Sequence, residues 1–108
     1  MARSAKNSAL ALLMTWLTVT CAFAQDVQGR NWSGACTGCH GTEGRSEGAI
    51  PPIAGIDKAR FVELMTAFRD GRKPGTIMHQ HAKGLSDEQI NALSEYFASR
   101  NPQQEAEQ

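Results

Sequence analysis

The sequence is short of most things that a large catalytic protein needs. It has 108 residues, only 6% of them aromatic, and three cysteines. That length allows one domain and excludes a two-lobed enzyme with a large internal cleft. Neither sign of charge is in excess, since 11 Lys and Arg balance 11 Asp and Glu. A nucleic-acid binder would normally show a basic surplus. No apolar run reaches the roughly 20 residues that span a bilayer, and no stretch of β-branched residues alternates as a strand would. What is present is helical periodicity, clustered glycine and proline, and one cysteine motif.

The first 24 residues read as a segment to be removed. Arg3 and Lys6 precede the apolar run Leu10 to Val19, which is followed by Ala22-Phe23-Ala24. This is the charged, apolar and small-residue order of a secretory signal peptide, with cleavage expected after Ala24. A membrane anchor is the rival, but the apolar run is too short. Cys21 raises a lipoprotein, yet Thr18-Val19-Thr20 lacks the expected Leu and the small residue before Cys. Cleavage would remove Arg3, Lys6 and Cys21, leaving 84 residues, two cysteines and a net charge of −2. Export allows disulfides. A chain this small is marginal unaided and often leans on a disulfide, a metal or a cofactor.

In the remaining domain, residues 25–108, three stretches look helical. The first runs roughly from Gln28 to Cys36 around Trp32. The second runs from Asp57 to Arg69, with Asp57 as N-cap, Phe61, Val62, Met65 and Phe68 on one face, and Gly71 closing it. The third opens on the capping box Ser86-Asp87-Glu88-Gln89 and lines up Ile90, Leu93 and Phe97, with Tyr96 beside them. Asn101-Pro102 stops it, and 101–108 reads as a disordered polar tail. Glycine- and proline-rich stretches at 41–54 and 71–85 read as loops. The expected class is all-α, with about three main helices and two long loops.

Cys36-Thr37-Gly38-Cys39-His40 is a C-x-x-C-H sequence, the attachment signature of a c-type haem. Two thiols three positions apart suit the two vinyl groups of one porphyrin, and the adjacent His40 suits its iron. A Cys36–Cys39 disulfide is a rival, but so small a ring constrains little of the unfolded chain. A thioredoxin-like motif needs a βαβ context that is missing here. Zinc needs two more ligands, for which only His79 and His81 remain. The expectation is therefore one covalent haem c, which would also supply the core that the short chain lacks.

The sixth iron ligand must come from elsewhere. Met65 fits plain packing on the second helix. Met78 is an apolar residue in a polar loop, and iron ligation would explain it. His79 and His81 are its rivals, and an open site is the remaining alternative. A ligating His usually donates its other ring N–H to a carbonyl. The Pro51 carbonyl is the expected acceptor, with Ile53 packed on the ring, although these prolines could simply stiffen the loop. Arg72 and Lys73 could meet haem propionates, or be solvated surface charges.

With these features the chain resembles a class I cytochrome c over Gly29 to Ser99. It is similar more narrowly to the cytochrome subunit of flavocytochrome c sulfide dehydrogenase. The residues that carry the likeness are Cys36-Thr-Gly-Cys-His-Gly41, Pro51-x-Ile53-Ala54, Phe61-x-x-x-Met65-x-x-Phe68-x-x-Gly71 and Thr76-Ile-Met78-x-x-x-Ala82-Lys-Gly84. In that family a flavoprotein (FAD) subunit oxidises sulfide and passes electrons to the cytochrome subunit. Many members carry two haem domains, whereas this chain has one C-x-x-C-H. The resemblance implies a periplasmic monohaem cytochrome that accepts electrons from such a partner, with no bond-making chemistry of its own. The alternatives are a free electron shuttle and, less readily, a haem-based gas sensor.

Overall fold

The computed structural model describes Ala24 and residues 26–102. All of the expected signal peptide except Ala24, and most of the expected tail, lie outside the described residues. Those described form four α-helices and one 3-10 turn, with no strand among them. Helix α1 spans 26–40. The 3-10 turn Thr42–Gly44 follows, then a long loop, then α2 (Lys58–Arg69), α3 (Met78–Lys83) and α4 (Asp87–Ala98). No helix among the described residues is long and apolar enough to cross a membrane.

Local chemistry explains most of the boundaries. Asp57 caps α2 by accepting a hydrogen bond from the Arg60 N–H at 2.9 Å. Ser86 and Gln89 form the expected reciprocal box at the start of α4, with bonds of 3.2 and 2.9 Å. Gly71, in the left-handed region, follows the C-cap Asp70 of α2. Among the described residues, the largest fully buried side chains all lie on α4. Leu93 and Phe97 are sealed, and Ile90 and Tyr96 nearly so. Phe97 stacks on Phe61 of α2 with ring centres 5.9 Å apart, and Tyr96 meets it edge-on at 5.1 Å. Met65 and Ala82 complete this core.

Two sequence expectations need correction. Helix α1 does not stop at Cys36 but continues through His40. The stretch 71–85 is not all loop, because α3 occupies Met78–Lys83. Ile77, at its N-cap, makes no side-chain cap bond, so the usual polar start signal is missing. The helix is held by packing instead. Ala82 is fully buried, and α3 lies against α2.

Helix α1 reaches the rest of the fold by a close crossing over α4. A Cβ on Gly29 would stand 2.7 Å from both the Ala92 carbonyl oxygen and the Tyr96 Cβ. Only glycine permits that approach. Gly34, on the same helix, has nothing within 4 Å of such a Cβ. Gly29→Ala should therefore destabilise the protein by about 1–3 kcal/mol through overpacking. Gly34→Ala should be neutral, or stabilising by up to about 1 kcal/mol from helix propensity. Denaturant unfolding of the two variants checks this contrast.

Candidate functional site

Because α1 runs through the cysteine motif, Trp32, Ala35, Cys36, Cys39 and His40 repeat at helical spacing along one face. All five border an apolar cavity of about 380 Å³. Phe61, Leu64, Met65 and Phe68 of α2 form a second wall. Thr76, Ile77, Met78 and His81 contribute a third, and Ile50, Pro51 and Ile53 of the long loop a fourth. Ile50 and Ile77 are the large apolar side chains left exposed at its edges, at 44% and 53%.

His40 is buried, and its Nδ1 lies 2.7 Å from the Pro51 carbonyl oxygen. A carbonyl can only accept, so Nδ1 carries the proton and Nε2 is left as the basic ring nitrogen. Both cysteines are free thiols. Burial pushes the Cys36 thiol above its ordinary pKa, so the chain presents it uncharged. Cys39 is exposed. Met78 opens α3 and is half-buried on the cavity wall.

The other candidates fall in different places. Met65 is buried in the core and also borders the cavity. His81 borders the cavity with an exposed side chain. His79 is not among the lining residues, and its Nδ1 is buried with no hydrogen-bond partner. Lys73 lies at the cavity with its Nζ 5.7 Å from the Phe68 ring centre. Arg72 points elsewhere, 3.5 Å from Asp70. Trp32, Leu64 and Leu93 were not singled out as site residues from the sequence. For Trp32 a signal existed, since Trp32, Cys36 and His40 are four residues apart.

These residues fit a covalently held haem. The space is apolar, two thiols stand one helical turn apart at its border, and the neighbouring imidazole has its second nitrogen already satisfied. A charged or water-soluble ligand would find few polar partners in such a lining.

Comparison with known proteins points the same way. A family model described as cytochrome c oxidase, cbb3-type, subunit III matches residues 26–97. The cytochrome subunit of sulfide dehydrogenase from Chlorobaculum tepidum is 38% identical over 65 residues, which is 60% of this chain and 59% of that protein. Cytochrome c-554(548) of Halomonas halodenitrificans is 36% identical over 76 residues, covering 67% of this chain and 92% of that one. The thiosulfate dehydrogenase electron acceptor of Stutzerimonas stutzeri is 35% identical over 68 residues, but the match takes in only 32% of it. The chain thus spans less than two thirds of the sulfide dehydrogenase subunit and about a third of the thiosulfate-linked protein. A family match over most of the described residues, with an apolar cavity behind the C-x-x-C-H face, leads to one conclusion: the chain belongs to the c-type cytochromes, in the family described as cytochrome c oxidase, cbb3-type, subunit III, and its cofactor is haem c.

Proposed function

We propose that this protein is an exported, periplasmic monohaem cytochrome that passes single electrons, as the electron-accepting partner of a flavin-containing sulfide dehydrogenase subunit. The observation that carries electron transfer is the meeting of Cys36, Cys39, His40 and Met78 on one apolar cavity. The likeness to the Chlorobaculum subunit supports the sulfide-linked partner. A second reading, a free shuttle between redox complexes, is supported by cytochrome c-554(548), most of whose length this chain covers.

When bound, haem c supplies a one-electron ferric–ferrous couple. The chain's own residues hold and tune it. Cys36 and Cys39, at i and i+3 on α1, each offer one thiol for a thioether. His40 offers Nε2 to the iron, and the Pro51 carbonyl fixes its tautomer and raises its basicity. Met78 offers a thioether sulfur, which with His sets a higher potential than two imidazoles would. Ile53 walls the pocket beside Pro51. The apolar lining keeps water away and disfavours extra charge at the metal.

Native co-purification with a flavoprotein in fixed stoichiometry tests the partner. A monomeric holoprotein recovered alone from its native host would favour the shuttle.

Four outcomes are expected of variants. The chain made as Cys36→Ala/Cys39→Ala without haem should be largely unfolded by far-UV circular dichroism, because the faces that border the cavity then have nothing to cover. Met78→Ala should keep its haem through denaturing electrophoresis, lose the sulfur–iron charge-transfer band, fall in potential and take up carbon monoxide when reduced. His81→Ala should keep the band. Met65→Ala should also keep it while losing about 2–5 kcal/mol of stability as a core truncation. Loss of the band in the Met65 or His81 variant, with retention in Met78→Ala, would move the ligand assignment.

A further inference from the structure

The acceptor for His40 sits in a loop without helix or strand of its own, so something else must hold it. Ile53 and Ala54 both donate their N–H groups to one oxygen, the Gly44 carbonyl, at 2.8 and 3.1 Å. The segment just after Pro51-Pro52 therefore hangs on Gly44. Gly44 closes a tight turn by donating to the Gly41 carbonyl at 2.9 Å. Gly41, Glu43 and Gly44 all have positive φ, at 82°, 52° and 83°. Glu43 is the one non-glycine in that region among the described residues. Its side chain makes the conformation costly, so a compensating contact is expected.

That contact is ionic. The Glu43 carboxylate pairs with Arg45, and its other oxygen lies 3.6 Å from Arg100. Both arginines are mostly buried, with side chains 12% and 17% exposed. Arg45 also donates to the Asn101 carbonyl at 3.2 Å. Arg100 donates to Asp26 at 2.8 Å and to the Tyr96 carbonyl at 3.1 Å, and lies over the Tyr96 ring at 4.2 Å. Glu43 is thus where the start of α1 and the residues after α4 are tied to the turn behind His40. The arginines, Arg45 first, hold its carboxyl below the ordinary range.

We propose that Glu43 is a positioning residue for His40. Its pairs with Arg45 and Arg100 fix the Gly41–Gly44 turn, the turn fixes the Gly44 carbonyl, and that carbonyl holds the Pro51 oxygen against His40 Nδ1. The proposal rests on the reading of His40 as iron ligand. A firm acceptor at Nδ1 makes the imidazole a stronger donor and favours oxidised iron. Loosening the acceptor therefore raises the reduction potential.

The test uses the holoprotein with Glu43→Gly, Glu43→Gln and Lys58→Ala. Glycine accepts the positive φ and so keeps the turn foldable while removing the carboxylate. Lys58, at the start of α2, pairs with Glu95 of α4 outside the Glu43–Arg45–Arg100 group and serves as a control ion pair. Two quantities are read: the midpoint potential, and the exchange rate of the His40 Nδ1–H by NMR of the reduced protein. Glu43→Gly should speed exchange by about tenfold, the equivalent of one ordinary hydrogen bond's net contribution, and raise the potential. Glu43→Gln should recover part of both, and Lys58→Ala should change neither. Unchanged exchange and potential in Glu43→Gly, or equal shifts in Lys58→Ala, would overturn the proposal. If the iron-bound imidazole of the unmutated protein is assigned to a residue other than His40, the ligand reading has failed instead.

Discussion

An apolar space of about 380 Å³ stands where one face of α1, the inner face of α2, the start of α3 and the Pro51 loop converge. The rest of the architecture is organised by the need to cover it. A domain this small buries a low fraction of its surface and is marginal without an added core. Haem c answers that need in this family, and its covalent attachment makes the added core permanent. The side chains that pack only against protein, chiefly Ile90, Tyr96 and Phe97, make a compact cluster beside the cavity rather than around it. The cavity and the cluster share Phe61, Met65 and Leu93, so loss of either is felt by the other.

Electrostatics play a local part in this frame. Some ion pairs, including Arg60–Glu63 and Lys58–Glu95, are exposed on both sides, and such pairs contribute little. The group around Arg45 and Arg100 differs because the two guanidinium groups are largely covered. It joins residues near both ends of the described chain to the turn behind His40. The Arg69 guanidinium, 2.7 Å from Asp87, does similar tying work between the end of α2 and the start of α4.

Much of the fold was legible from short-range rules. The N-cap Asp57, the box Ser86–Gln89, the apolar repeat of α4 and the all-α class all follow from spacings within one or two helical turns. The cysteine motif points to its chemistry for the same reason, since Cys36, Cys39 and His40 lie within a single stretch of backbone. The Pro51 carbonyl could be reasoned to because a buried imidazole needs an acceptor and a proline turn lay within reach. Helix α3 was not legible. Six residues without a capping side chain carry too little periodicity, and Gly75 and Gly84 around them read as breakers.

What the sequence by itself determined is therefore local: where helices start, which faces are apolar, and which side chains are candidates to meet a porphyrin. Tertiary structure decided the rest. That α1 continues through His40 depends on its packing, because Gly34 and Gly38 inside it argue against a helix on propensity alone. That Gly29 must be glycine depends on Ala92 and Tyr96 crossing it. That Glu43, Arg45, Arg100 and Asp26 form one group depends on bringing residues far apart in sequence into contact. Those contacts follow from the closing of the chain around its cavity, and no local pattern records them.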